Sequence, residues 1–542
     1  MSVINPPSLF PQKIHYGFYL IGMVMIAISL PTSVYFISVG QFVLAGNWII
    51  EGKYKDKVIY FWKQKTAVVF CLIFLLYLTG MLWSTDIDHG IRELRKKIPF
   101  LTLTFLIVSA PLGFNALKSN ILLLLFGTSV LVSTFIGWVL FDHEASTNLR
   151  ELSPFISHIR LSLMIVFSIF IFIWMAEKYP FPKSFTKNAV KYYLVKSLFY
   201  ISSAWMLFFV LKMQVLTGLA ALGAVVFFLS VVFIFQKKNR ALSFIFITLL
   251  FLFVGSLLFM IIKFQTMIYE KDKTDLTNLP THTSSGNPYT HNLSEKLTEN
   301  GSLVYLYISR NELKEAWNER SDLDFDGKDL NGQILRYTIY RYMTSLGLKK
   351  DKEGMEKLTD EDIEAIEKGI ANHYYTKWPG IISRIHQSVW EIYKYQNGYD
   401  SSEHSLAKRI EFWKASWSAI KAKPLFGWGT GDLVIAQHYG FKKTDSVLPK
   451  EQWNKPHNQF LTFAINFGII GLSVIIYILF YVLKKRKKIH ILPHAVFLVI
   501  SFVSMLNEDT LENQAGLTFF LYFFLFFNFV YQPFESKNNK YI

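Results

Sequence analysis

The sequence predicts an all-α, polytopic integral membrane protein with about twelve transmembrane helices and one large, mostly helical extracytoplasmic loop. Three observations predict it. The chain of 542 residues is 52% hydrophobic and holds 50 Phe and 28 Tyr, too apolar for a surface dissolved in water. Runs such as 121–141, 215–235, 241–262 and 459–483 exceed the roughly 18 apolar residues needed to cross a bilayer, with no charged residue near their middles. Between 264 and 455 the composition switches to dense charge, Gly and Asn, that of a soluble domain enclosed between spans.

Taken in order, spans are expected at about 16–30, 33–50, 66–83, 98–115, 120–141, 157–176, 195–211, 214–235, 241–263, 457–483, 489–506 and 515–532. Residues 16–50 read as two short spans split by Pro31, or as one long, kinked span. That stretch lacks a basic leader and a small-residue cleavage site, so it reads as retained membrane structure. The organisation is then an N-terminal membrane domain over 1–263, a loop domain over 264–455 and a C-terminal membrane domain over 456–542. The one cysteine, Cys71, lies in an apolar run and forms no intrachain disulfide.

A formal charge of +16 fits either nucleic acid or a membrane surface, and its distribution decides for the membrane. Basic residues crowd the loops on one side: Lys53, Lys55, Lys57, Lys63, Lys65, Lys118, Lys178, Lys183, Lys187, Lys191, Lys196, Lys237, Lys238, Arg240 and the run from Lys484 to Lys488. The short loops opposite hold only Arg92, Arg95, Lys96, Lys97, Arg150, Arg160 and Lys212. The positive-inside rule makes the first side cytoplasmic, puts both termini there and turns the large loop outward.

Inside that loop, 275–301 is rich in Thr, Asn, Ser and Gly and is expected to be irregular. Thr359 with Asp362 has the form of a capping box ahead of the Ile363, Ile366, Ile370 spacing of an amphipathic helix. A second helix is expected from Leu406 to Ile420, ended by the segment from Phe426 to Gly431.

The most informative residues are Pro456, His457 and Asn458, where charged loop gives way to apolar span. On one continuous helix, His457, Leu461, Ala464, Gly468 and Gly471 fall within roughly 40° of a single direction. That would set a histidine at the outer end and let a neighbouring helix pack closely against Gly468 and Gly471. The positive end of the helix would draw phosphate oxygens towards a neutral imidazole. A lone interfacial histidine more often just caps a span.

The full pattern is more specific. His457-Asn458, nine residues, Gly468, two residues, Gly471 is similar to the motif of the O-antigen ligase and polymerase superfamily. Upstream, Arg409, Trp413 and Trp417 at helical spacing, followed by Pro424-Leu-Phe-Gly427-Trp-Gly429-Thr-Gly431-Asp432, resemble that superfamily's Arg and Trp helix and Gly-rich turn.

The resemblance implies a bacterial inner-membrane enzyme whose periplasmic site moves a glycan from undecaprenyl pyrophosphate to a sugar hydroxyl of lipid A core, without cofactor or metal. A polymerase and a protein O-oligosaccharyltransferase share that donor and stand as rivals. Carried over residue by residue, Arg409 becomes the pyrophosphate clamp, because its fork matches phosphate oxygens, and His457 the general base, with Asn458 beside it. Direct displacement implies inversion at the anomeric carbon. The superfamily's arginine at the outer ends of the middle spans is missing, so Lys212 or Arg160 stands in its place. Arg92, Arg95 and Lys96 form a basic patch that holds lipid phosphates or is merely solvated, and Arg384 is a further loop candidate.

Other features are read sceptically. Asp322, Asp324, Asp326 and Gly327 imitate the start of a calcium loop, but Gln333 stands where a bidentate Glu belongs. The run Gly427, Gly429, Gly431 reads as a turn rather than a nucleotide loop. Asp86 and Asp88 read as helix capping rather than a metal pair. Glu508, Asp509 and Glu512 either orient an arginine or belong to a solvated loop. A transporter or flippase would carry ionisable residues at mid-membrane, which these spans lack, and no internal repeat supports one.

Overall fold

A computed structural model describes residues 10–110, 113–142, 149–178, 189–235, 240–269, 276–378, 380–399, 405–488 and 491–533. It is an all-α polytopic membrane protein, with seven helices among the described residues long and apolar enough to cross a bilayer. Every expected span coincides with a helix. Several are shorter than a full crossing, including Leu492–Asn507 and Gln514–Val530.

The chain opens with α1 (Gln12–Ser29) and α2 (Val34–Glu51). These are two antiparallel helices and not one kinked span. The turn at Pro31 is closed by Ser33, which caps α2, and the return is sealed by His15 against Asn47 at 2.8 Å and Tyr19 against Glu51 at 2.6 Å. Gly22 and Gly40 let the pair close up, since a Cβ on Gly22 would lie 2.7 Å from Leu44. Next come α3 (Tyr54–Lys63), α4 (Lys65–Thr79), α5 (Ile87–Lys97) and α6 (Pro99–Ser109). Pro99 supplies the first residue of α6, where its missing N–H costs nothing. The remaining spans before the loop are α7 (Ala116–Leu140), α8 (His158–Lys178), α9 (Ala189–Met213), α10 (Leu216–Phe235) and α11 (Arg240–Tyr269).

The chain divides into two compact units, one of Met1–Phe141, Arg150–Ser243 and Arg409–Ile542, the other of Asp142–Leu149 and Phe244–Lys408. The second unit begins earlier than the expected boundary at 264 and ends well before 455. Its core is built around Trp317, Ile339, Tyr342 and Met343, from α12 (Arg310–Asn318) and α13 (Leu335–Ser345), with Phe325 from the connection between them. The expected capping box at Thr359 and Asp362 is present, opening the helix Asp360–Glu367. The irregular stretch holds one small hairpin, Thr298–Glu299 with Ser302–Leu303. Asp326 is occupied by Arg310 at 2.6 Å, Lys314 at 2.7 Å and Arg336 at 3.4 Å, which holds its carboxyl down at about 2 and leaves it an ion-pair hub, not a cation ligand.

Candidate active site

The site lies in the first unit and is built from three stretches far apart in sequence. The first is a helix spanning Ser405–Ala422, one turn longer than expected. It carries Arg409, Phe412 and Trp413 towards the second stretch, Pro456-His457-Asn458, and the third, Glu508 and Asp509. Arg409 Nη2 donates to Glu508 Oε1 at 2.6 Å, and each side chain is about one-fifth exposed. Trp413 Nε1 donates to the carbonyl of Pro456 at 3.0 Å, and the Phe412 ring stacks on His457 at 5.6 Å. Trp417, one turn beyond Trp413, is exposed.

His457 does not stand on the helix face expected for it. The tenth span, Gln459–Arg486, starts two residues later, and Asn458 is its cap: the Asn458 Oδ1 accepts from the backbone N–H of Phe460 and Leu461. The same side chain donates to the Leu506 carbonyl at 2.9 Å, tying this junction to the helix Leu492–Asn507. His457 itself sits just ahead of the cap with a left-handed φ of 49°, an uncommon conformation for a non-glycine residue. Asp509 holds it there, accepting from the His457 backbone N–H at 2.9 Å and from the Thr462 hydroxyl at 2.7 Å. Burial pushes the Asp509 carboxyl above the usual carboxylate range. His457 Nδ1 lies 3.4 Å from Glu508 Oε2, a long contact of the kind that tightens when charge develops. Glu508 thus touches both the arginine and the histidine.

The helix is also broken at Gly468, where φ is 64° and ψ is −170°. The Gly-rich turn threads into this break. Trp428 and Gly429 donate to the carbonyls of Ile465 and Asn466, and Ile469 and Ile470 donate to those of Pro424 and Leu425. Every partner is backbone, so these four groups released by the break are satisfied without water. A Cβ on Gly427 would lie 2.5 Å from Asn466, and one on Gly468 2.2 Å from the Leu425 oxygen. Gly468 is therefore a breakpoint and not part of a continuous packing face. Gly471 lies beyond it, beside Leu76 of α4. This interlock explains why residues 409–455 group with the membrane unit and not with the soluble one.

Asp432, at the end of the turn, accepts from the backbone N–H of Thr85 and Asp86 and from the Thr85 hydroxyl, which moors the turn to the start of α5. Asp86 caps α5 through His89 N, as expected. Beneath the site, the fully buried Lys97 donates to Glu512 at 3.0 Å and to the Leu511 carbonyl at 2.6 Å, while Gln459 bridges Glu512 and Leu511 N. Burial alone would raise the Glu512 carboxyl, but Lys97, with Lys455 and Gln459, more than offsets it and holds it below the usual carboxylate range. Lys97 and Asp432 were not legible as site-building residues, because one reads as a loop charge and the other as the end of a turn.

Glu508 also lines a small cavity of mixed character, whose polar residues include Arg160, Ser504, Thr510 and Asn513 and whose apolar ones include Leu163, Met164 and Phe519. Arg160 lies in the first turn of α8, and no hydrogen bond joins it to another described residue. The helix starting at Gln514 opens at the same cavity through Gly516. An anion here would meet one guanidinium and two helix N-termini. Ser501 and Phe520 are shared between this cavity and an apolar groove of about 310 Å3 that includes Phe460, Met505, Phe480 and Leu483. The groove therefore follows the tenth span from its Asn458 end to its Lys484 end.

The other expected residues are not assembled here. Arg92 and Arg95 are exposed on α5, and Lys96 pairs with Glu93 at 2.7 Å. Lys212 is exposed at the end of α9. Arg384 belongs to the second unit, where it contacts Gln387 at 3.0 Å and Glu391 at 3.5 Å.

No curated protein matches the chain. Residues 369–476 match the family model described as O-antigen ligase, a stretch that takes in Arg409, the Gly-rich turn, His457, Asn458, Gly468 and Gly471 but stops short of Glu508. The stretch similar to the O-antigen ligase family contributes the arginine helix, the interlocked turn and the histidine junction around which the site is built.

Proposed function

We propose that this protein transfers a glycan from a polyprenyl pyrophosphate to a sugar hydroxyl on a lipid-anchored acceptor, lipid A core in the ligase reading. One observation carries the donor class: a cavity lined by the charged Arg160 and Glu508 shares its wall with an apolar groove running along the tenth span. An amphiphile with a phosphate head and a long apolar tail has that shape, and the matched family segment supports a glycan-transferring role.

In this reading Arg409 and Arg160 neutralise the pyrophosphate from either side of Glu508, and the tail lies in the groove. The acceptor hydroxyl loses its proton to His457 Nε2, its oxygen bonds to the anomeric carbon, and the bond from that carbon to the pyrophosphate oxygen breaks. The electron pair leaves with the polyprenyl pyrophosphate, and the anomeric configuration inverts. Glu508, on the Nδ1 side of the ring, stabilises the imidazolium that forms. Asp509 acts indirectly, by fixing the backbone that aims the ring. The orientation in which this site faces the periplasm of an inner membrane rests on the distribution of loop charges.

The test is transfer in proteoliposomes holding purified protein, a polyprenyl-pyrophosphate glycan and lipid A core. His457→Ala and Arg409→Ala should each lower the rate at least about 100-fold while the protein remains monodisperse. Arg160→Ala should raise the donor KM. Full activity in the His457 variant would remove it from the chemistry. Transfer to a second lipid-linked glycan but not to lipid A core would identify a polymerase.

A further inference from the structure

The segment from Arg409 to Lys443 lies in what the sequence presents as a soluble loop, yet its surface is that of a membrane-seated element. Trp417, Leu425 and Phe426 are 57%, 55% and 61% exposed, and Val434, Ile435 and Tyr439 of the next helix, Leu433–Lys443, are exposed as well. In a water-facing loop such a cluster would be a liability. Here it adjoins the lipid-facing side of the tenth span. Leu425 is hydrogen-bonded to Ile470 and Pro424 to Ile469, and it is at Ile469, 53% exposed, that the outward-facing apolar residues of that span begin, continuing to Val474 and Tyr477. The exposed apolar surface therefore runs without interruption from the span onto the turn.

The cations around the patch fit the same solvent. The Lys421 ammonium lies over the Trp417 ring at 5.9 Å and the Lys423 ammonium over the Trp428 ring at 4.3 Å, and both lysines are exposed. Trp with Lys at the rim of an apolar face is the pattern of a bilayer interface. Four backbone groups of the turn, the Pro424 and Leu425 carbonyls and the Trp428 and Gly429 N–H groups, are paired with the broken span, which lowers the cost of placing it at that depth.

We propose that the helix Ser405–Ala422, the Gly-rich turn and the helix Leu433–Lys443 form an interfacial membrane anchor. Leu425, Phe426 and Trp417 sit among the acyl chains of the leaflet on the His457 side, and Lys421 and Lys423 reach lipid phosphates. The anchor fixes the height of Arg409 and His457 above that leaflet, within reach of lipid-borne sugars. It does not depend on which glycan is transferred, or on whether one is.

Site-directed spin labelling tests it without reference to activity. In a Cys71→Ser background, nitroxides are placed by Phe426→Cys, Val434→Cys, Ile470→Cys and Glu451→Cys. The full chain is reconstituted in vesicles of phosphatidylethanolamine and phosphatidylglycerol. Relaxation by oxygen is compared with relaxation by a water-soluble nickel chelate. The expected result is an oxygen-to-nickel ratio at Phe426 and Val434 equal to that at Ile470 and several-fold above that at Glu451. A ratio at both sites equal to that of Glu451 would place the turn in water and overturn the proposal. Protection from both reagents would show that protein, and not lipid, covers the patch, and would overturn it equally.

Discussion

Replacing Glu508 with Gln would separate the two roles proposed for this carboxylate. Its Oε1 holds Arg409 at 2.6 Å, and its Oε2 faces His457 Nδ1 at 3.4 Å. A charge-assisted contact this short between side chains about one-fifth exposed contributes about 1.5–3 kcal/mol, less whatever water screens, so about 1.5 kcal/mol net. A donor pyrophosphate has to draw Arg409 away from that partner, so Glu508→Gln should lower the donor KM about tenfold. The imidazolium formed during proton transfer loses its negative neighbour at the same time. General-base catalysis supplies about 10²–10⁴ in rate, and losing charge stabilisation of the base should remove about tenfold or more of it from kcat. The assay is initial-rate transfer in proteoliposomes over a range of donor concentrations. Opposite movements of KM and kcat support the bridging role. A donor KM that rises with kcat unchanged would refute it, because Glu508 would then be helping to bind the donor.

Three further outcomes follow from the geometry. Gly468→Ala puts a Cβ 2.2 Å from the Leu425 oxygen at a positive φ, and should cost about 3 kcal/mol or more, read as a lower thermal midpoint of the detergent-solubilised protein. Gly46→Ala meets nothing within 4 Å and should leave the midpoint unchanged or slightly raised. In the second unit, burial pushes the Lys350 ammonium down to about 7. The unfolded chain therefore binds more protons than the folded one between that value and the usual lysine range, so the stability of this unit rises with pH across that window. Lys350→Met should remove that slope and stabilise the unit at neutral pH by a few kcal/mol, on the order of about 1.4 kcal/mol per pKa unit, as read by amide exchange around Leu306 and Tyr342.

The spans and their order were legible because bilayer length and apolar composition act locally, and each expected span coincides with a helix. Pro31 alone left the first pair open; contacts from His15 to Asn47 and from Tyr19 to Glu51 close it, and such contacts leave no periodic trace. The motif at His457 and Asn458 was legible, but the helix face drawn through it was not. A 3.6-residue period assumes unbroken helix, whereas Asn458 starts the helix after His457 and Gly468 ends its first segment. Composition likewise assigned 409–455 to the loop, since charge and glycine say nothing about backbone pairing with a distant span. Glu508 carries no local signal for its role: it is 51 residues from His457 and 99 from Arg409, and only the fold brings the three together.

The central claim is that this chain, with Arg409 and His457 on either side of Glu508, performs glycan transfer from a polyprenyl-pyrophosphate donor. Its most direct measurement is single-turnover transfer by the purified, reconstituted protein, with chemically defined donor and lipid A core and with product and released polyprenyl pyrophosphate counted together. Equal amounts of glycosylated acceptor and polyprenyl pyrophosphate are expected, with neither formed by His457→Ala. Acceptor glycosylation at the wild-type rate by that variant, or no transfer from this donor by the wild-type protein to any lipid-borne sugar acceptor, would contradict it.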